Sequence, residues 1–264
     1  MTCENERIFS VNFTCRCPEE MLDVSWQSEP LDLPLDMQKS IKKHWDSLPK
    51  DNIFNGRLAR LDRWSYSGQG CHLALRPTDY RTLLYSNSHV QEICTLWGSD
   101  YLSRALGISA VLLSVDNFVI FMKRSANVGE FPECYDVFGG HIDVPPNENS
   151  PNVFSSMAQE LKEEVGLDRS DYDLYLIGLI ESTPNRKPEL VFFASTFLTK
   201  EQILSRTHEA QDHIEFTHVH AIENGVELLN FLKTNKSGFS PSAFGSLCVY
   251  AKLYLTDVRK SRGY

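Results

Sequence analysis

The sequence lacks three features that would each define a class of protein. Its longest apolar stretches fall far short of the roughly 20 residues that span a bilayer. It has no basic segment followed by an apolar one at its start, as a secretory leader has. It also lacks excess positive charge, because 26 Lys and Arg face 35 Asp and Glu and the formal net charge is −9. These absences predict a cytoplasmic protein, with the nucleus as a further location, and argue against membrane and nucleic-acid partners.

Paired cysteines are also missing. The seven cysteines are an odd number scattered along the chain, so they predict free thiols rather than a disulfide framework. Cys15-Arg-Cys17 has no second pair with which to hold zinc.

The 264 residues leave room for one large domain or two small ones. The composition leaves the oligomeric state open.

The pattern of apolar residues changes near Leu106. We expect an N-terminal extension at 1–105 and a main domain at 106–264. The main domain begins with a predicted hairpin, Ile108–Val115 and Phe118–Met122. Strands alternating with helices predict an α/β (α+β) sandwich with helices on a mixed sheet. Further helices are predicted at Leu35–Leu48, at Gly225–Leu232 and at Ser240–Leu255, and a short one is predicted to begin at Thr78 or Asp79. Further strands are predicted at Arg57–Tyr66, Cys71–Leu75, Leu174–Glu181, Leu190–Phe197 and His213–Ala221.

A helix over 152–166 carries three acidic residues on one side. Ser150 followed by Pro151 is typical of a helix start, and Gly166 of a helix end. At about 100° per residue, Glu160, Glu163 and Glu164 share an arc beside the apolar face. Like charges at this spacing repel unless a cation offsets them. Carboxylate oxygens suit Mg²⁺, with Mn²⁺ as a substitute, although a solvated acidic face is the alternative reading.

The surroundings of this helix carry a resemblance. Gly139-Gly140 after a hairpin, followed by Glu160–Leu167, resembles the Nudix box, and the chain is identified as a member of that superfamily. The resemblance implies a Nudix-type α/β/α sandwich. Two departures stand out: Gln159 replaces the usual Arg, and the loop after Gly140 is about five residues longer than in the standard box, so the loop Glu has no clear counterpart.

A second likeness narrows the branch. The chain resembles the animal UDP-sugar diphosphatases of the superfamily at Phe54 and along Thr78–Arg81, Phe118–Ser125, Asp136–His141 and Pro241–Ala243. This resemblance implies Mg²⁺-dependent hydrolysis of UDP-glucose and UDP-galactose to UMP and sugar 1-phosphate. It also implies that the N-terminal extension helps to bind the nucleotide sugar.

The resemblance implies roles for individual residues. Glu160 and Glu164 would hold the metal, while Glu163 would be a further ligand or would order the attacking water. One more acidic ligand is expected from a later loop, where Glu209 or Asp212 is preferred over Glu215. The identity of the general base stays open. The expected substrate-binding residues are Phe54, Tyr80, Arg124, Gly129, Asp136, His141, Asp143 and Ser242.

Two alternatives remain. The chain could be a Nudix pyrophosphatase for another compound, such as ADP-ribose, a dinucleotide or coenzyme A. It could also be an inactive nucleotide-binding module of the same fold, because Gln159 cannot pair with a carboxylate as Arg does.

Overall fold

The computed structural model describes residues 8–49, 53–68, 70–126, 128, 130–144, 150–212 and 216–255. These residues form eleven strands: β1 (Phe9–Cys17), β2 (Leu22–Trp26), β3 (Arg57–Ser67), β4 (Gly70–Asp79), β5 (Gly107–Leu113), β6 (Phe118–Arg124), β7 (Tyr135–Asp136), β8 (Phe138–His141), β9 (Tyr172–Ser182), β10 (Pro188–Thr196) and β11 (Phe216–Glu223). The same residues form seven α-helices: α1 (Leu35–Ser47), α2 (Tyr80–Ser88), α3 (Val90–Leu96), α4 (Val153–Val165), α5 (Lys200–Thr207), α6 (Val226–Thr234) and α7 (Pro241–Tyr250).

A mixed sheet forms the centre of the molecule, in the order β1-β9-β10-β5-β6-β11. β10 and β5 are parallel, whereas the other neighbours are antiparallel. β5 changes partner along its length: Gly107–Ala110 pairs with β8, and Leu112 and Leu113 pair with β6. The sheet therefore opens between β6 and β8.

Helices cover both faces of this sheet. Side chains alternate along β5, as the two-residue period of a strand requires. Ile108 and Leu112 pack with α4 residues such as Leu161, while Val111 packs on the other face with Leu247 of α7. The predicted α/β/α sandwich with a mixed sheet is confirmed.

The N-terminal residues contribute to both sheets. β2, β4 and β3 form a separate three-stranded sheet, in which β2 is parallel to β4. β1 instead pairs with β9 as an edge strand of the large sheet. The large sheet thus includes residues from before the predicted boundary at residue 106. No helix in the described part of the chain is long and apolar enough to cross a membrane.

Both ends of the acidic helix are defined, but its start differs from the predicted one. Asn152 is the N-cap, because its side chain accepts a hydrogen bond from the Ser155 N–H at 2.9 Å. The predicted start at Ser150 and Pro151 is wrong, since both residues precede the cap. Gly166 ends the helix in the left-handed conformation, with φ of 75°.

The last predicted helix, Ser240–Leu255, consists of two helical segments of different type. Ser240 caps α7 through the Ala243 N–H, as expected. The regular helix ends at Tyr250, and Ala251–Leu255 continues as a π-helical turn.

Replacing the cap separates the two possible helix starts. We expect Asn152→Ala to lower the free energy of unfolding by about 1 kcal/mol, because the Ser155 N–H loses its acceptor. Ser150→Ala is the matched control, and this exposed residue should change stability by less than about 0.5 kcal/mol. Urea denaturation of both variants measures the difference. A larger loss in Ser150→Ala than in Asn152→Ala would contradict the assignment.

Candidate active site

Two glycines allow the acidic helix to lie against β8. A Cβ atom on Gly139 would overlap the backbone oxygen of Ile108, and Gly139 has φ of 154°. A Cβ on Gly140 would overlap the carboxylate of Glu160. The Gly139 N–H donates to Glu164 Oε2 at 2.7 Å, although Glu164 is only 2% exposed. The glycines thus bring two helix carboxylates next to the strand backbone.

The third helix carboxylate is held differently. Gln159 Nε2 donates to Glu163 Oε1 at 2.9 Å, so the residue in the position of the usual Arg still contacts the acidic cluster. Partial burial raises the pKa of Asp143, and the nearby Glu163 carboxylate raises it further. The Asp212 N–H donates to the Glu163 carbonyl at 3.0 Å. Glu209 and Glu163 line one surface depression. Both preferred later acids therefore lie close to Glu163.

The donor chemistry of this cluster suits a hard divalent cation, since every candidate ligand is a carboxylate oxygen. Within the described ranges, however, no three His, Cys, Asp or Glu side chains converge as a preformed metal site. Glu164 directs one oxygen to a backbone N–H, and Glu163 directs one to Gln159. The residues therefore fit a divalent metal by donor type, while their described arrangement is not that of a preformed site.

A cavity of about 800 Å³ opens beside the two glycines. Ligand pockets in proteins commonly have volumes of this order. Five of the predicted substrate-binding residues line it, namely Tyr80, Arg124, Asp136, His141 and Ser242. Its wall also includes Gly139 and Gly140 of β8. The cavity and the acidic helix thus meet at the same short strand.

Arg124 and Asp136 form an ion pair in this cavity. The Arg124 Nη1 to Asp136 Oδ2 distance is 3.3 Å, and Arg124 Nε donates to the Glu130 carbonyl. Ser240 Oγ and the Val137 N–H both donate to Asp136 Oδ1. Burial raises the pKa of Asp136, whereas Arg124 and the two hydrogen bonds oppose that rise. Asp136 therefore acts as an anchor for the guanidinium group.

A second group of charges was missed by the sequence analysis. Lys187 Nζ lies 3.4 Å from Glu130 Oε2 and 3.9 Å from Glu189 Oε2. It also lies 3.3 Å from Nε2 of His141. All four residues line the cavity. They lie in three separate segments of the chain, so no spacing in the sequence indicates that they meet.

Burial at the cavity wall shifts the pKa values of two of these groups, His141 and Glu189. Burial, with the Lys187 ammonium beside the ring, lowers the pKa of His141 to about 3. The imidazole is then neutral near pH 7, and Nε2 can accept from Lys187. Burial raises the pKa of Glu189 to about 7 despite the attraction of Lys187.

Three predicted substrate-binding residues lie elsewhere or are not described. Phe54 is 80% exposed, and its ring lies over Gly56 rather than in the cavity wall. Asp143 is only partly covered, and it lies near Glu163 of the acidic helix rather than in the cavity wall. Gly129 falls outside the described residues, as does Glu215.

A second cavity, of about 820 Å³, lies in the N-terminal part. Its buried cation, Arg60, donates to Asp62 and to the carbonyls of Asp100, Leu102 and Ser103. These partners already occupy the Arg60 guanidinium, while Arg57 and Arg81 also line the cavity.

Comparison with known proteins shows which of them the chain resembles. No protein-family profile matches it. It is 28% identical over 223 residues to Nudix hydrolase 9 of Arabidopsis thaliana, covering 70% of this chain and 72% of that protein. It is 29% identical over 236 residues to human uridine diphosphate glucose pyrophosphatase NUDT22, covering 78% and 75%. The mouse protein of that name is 30% identical over 158 residues, which span 51% of each chain.

Solved structures show weaker likeness. A mutT/nudix family protein from Listeria innocua superposes with a TM-score of 0.40 and 17% identity, covering 60% of this chain and 95% of that one. The sequence relatives are the firmer finding. The chain resembles Nudix proteins along most of its length. Among these relatives are the animal proteins named uridine diphosphate glucose pyrophosphatase.

The neutral state of His141 can be observed directly. We expect its ring resonances to stay unmoved in NMR spectra between about pH 5 and pH 8, because its pKa is far below that range. The His141→Gln variant assigns the signals. Since the folded pKa lies below the unfolded value, stability should decline as the pH falls below about 6.5. A ring titration with a midpoint of about 6.5 would contradict the burial argument.

Proposed function

We propose that the protein is a Mg²⁺-dependent hydrolase that cleaves the pyrophosphate bond of UDP-glucose and UDP-galactose to UMP and sugar 1-phosphate. The observation that carries the proposal is the junction at Gly139 and Gly140, where the acidic helix meets a cavity containing Arg124. A pyrophosphate bound there would lie between carboxylates that suit a cation and a guanidinium that suits phosphate oxygens.

Glu160 and Glu164 would hold the metal, with Glu163 and either Glu209 or Asp212 as further candidates. When bound, Mg²⁺ or Mn²⁺ would neutralise charge on the phosphates. The reaction adds water across the bridge: the water oxygen bonds to one phosphorus, and the bridging oxygen leaves with the other phosphate. Glu163, held by Gln159, is suited to ordering that water.

The other cavity residues would bind and orient the substrate. Arg124 would donate to the pyrophosphate, and its ion pair with Asp136 would fix its direction. Tyr80 offers an aromatic face for uracil, and such stacking contributes about 1–3 kcal/mol per base. His141, as a neutral ring, and Ser242 would contribute hydrogen bonds. Phe54 and Asp143 would need to move to reach a ligand in this cavity.

The N-terminal residues 1–105 are proposed to complete the substrate pocket of the domain at 106–264. Ile53 and Tyr80 support this role because they line the cavity from the N-terminal side. The names of the animal relatives support uridine diphosphate glucose as the substrate class.

A nucleotide-binding module without activity is the second candidate. Gln159 favours it, since an amide cannot form the bidentate ion pair that Arg forms with a carboxylate. The retained glutamates and the glycine junction favour the enzyme. Pyrophosphatases for ADP-ribose, a dinucleotide or coenzyme A are the alternatives within the family.

A substrate panel tests the proposal. We expect UMP release from UDP-glucose and UDP-galactose with Mg²⁺, a lower or similar rate with Mn²⁺, and none with chelator. ADP-ribose, a diadenosine polyphosphate and coenzyme A serve as competitors. Preferential cleavage of one of these would select that alternative. Saturable UDP-glucose binding with no cleavage under any metal would select the binding module.

The Glu164→Gln variant tests the acidic helix. We expect turnover to fall by about two orders of magnitude or more, because an amide is a poor ligand for a hard cation. The fold should survive, since the amide oxygen can still accept from the Gly139 N–H. Glu201→Gln is the matched control on α5, where the side chain is 68% exposed. Steady-state rates and thermal denaturation of both variants check this, and wild-type turnover in Glu164→Gln would sink the metal assignment.

A further inference from the structure

The Lys187 ammonium is surrounded by polar atoms but not tightly held by any of them. Its contacts with His141, Glu130 and Glu189 are 3.3, 3.4 and 3.9 Å long. Charge-assisted hydrogen bonds of this type are normally about 2.7–2.9 Å long. An ammonium group has three N–H donors. The group therefore has capacity for a shorter bond to a further acceptor.

The backbone fixes where this ammonium lies. The Ser182 N–H donates to the Lys187 carbonyl at 3.0 Å, which closes the hairpin between β9 and β10. Pro188 then begins β10 directly against β9. The side chain is only 11% exposed, yet it forms part of the cavity wall together with Gly140. Lys187 is thus a buried cation directed to the same space as Arg124.

The carboxylate on the far side of Lys187 is incompletely satisfied. Within the part of the chain that the structure describes, Glu189 Oε2 is buried and has no hydrogen-bond partner. A Cβ atom on Gly107 would overlap this carboxylate, so the glycine admits it into the wall. A buried carboxylate oxygen without a donor is unfavourable while it is charged, which favours the protonated form of Glu189.

The charges around Lys187 permit an anion to approach its ammonium. Glu130 also accepts from Asn87 Nδ2 at 2.8 Å, which fixes it beside Lys187. Burial raises the pKa of Glu189 to about 7, so this carboxyl can hold a proton near neutral pH. In that state Lys187 and Glu130 balance, His141 is neutral, and an incoming phosphate meets no excess negative charge from these four groups.

We propose that Lys187 is a further substrate-binding residue whose ammonium donates to a phosphate oxygen, and that Glu130 and Glu189 position it at the cavity wall. The identity of the complete substrate rests on the proposed function. The phosphate contact itself does not, because it follows from the Lys187 cluster.

Two probes separate these claims. Affinities for UDP-glucose and for inorganic pyrophosphate are measured by calorimetry with chelator present, so that nothing is cleaved. We expect Lys187→Met to weaken both affinities by about tenfold or more, because one charge-assisted hydrogen bond is lost. Lys42→Met is the matched control, since Lys42 forms an exposed ion pair with Asp46 and does not line the cavity. That variant should bind both probes as the wild type does.

A second variant guards against misfolding. Removing Lys187 alone leaves Glu130 buried without its cation, so Lys187→Met is paired with Lys187→Met/Glu130→Gln, which removes both charges. The double variant should fold and still bind pyrophosphate weakly. Wild-type affinity for pyrophosphate in either folded variant would overturn the role of Lys187. Failure of the wild type to cleave any nucleotide sugar would instead overturn the proposed function, while the pyrophosphate measurement still decides the phosphate contact.

Discussion

The close approach of α4 to β8 is the constraint on which the site depends. Glu164 is buried on a helix that otherwise presents an apolar face to the sheet, and a buried carboxylate needs strong hydrogen bonds to remain there. The Gly139 N–H supplies one of them at 2.7 Å. Any side chain on Gly139 would meet backbone, and one on Gly140 would meet Glu160. The two glycines therefore set the distance between the acidic helix and the cavity.

Charge balance explains how an acidic protein can have a cavity suited to phosphate. The formal net charge of −9 is a property of the whole chain, whereas a bound anion responds mainly to nearby charges. Arg124 faces Asp136, and Lys187 faces Glu130 and Glu189. These carboxylates make it possible to bury two cations without a ligand. They also keep both cations at the cavity wall, which lowers the entropy cost of ordering them when a ligand binds.

The parts of the molecule that follow from local rules could be predicted from the sequence. The apolar spacing of α4 identifies its buried face, and the apolar runs of the hairpin strands identify the core of the sheet; both are observed. The first residue of α4 could not be fixed from the sequence, because Ser150 and Asn152 both belong to residue types that favour the N-cap position. The structure selects Asn152, whose side chain accepts from the Ser155 N–H. Lys187 and Glu189 could not be selected at all. Each is an ordinary charged residue in the sequence, and only the pairing of β10 with β5 brings them to the glycine strand.

The N-terminal residues matter to the site through the backbone that follows β8. The Ala59 N–H of β3 donates to the Ile142 carbonyl, and the Leu106 N–H donates to the Ala59 carbonyl. β3 thus ties the residue after His141 to the start of β5. Because His141 contacts Lys187 from this segment, movement of β3 would shift the cavity wall as well as the extension. The N-terminal residues therefore support the glycine strand through β3 and also line the cavity through Ile53 and Tyr80.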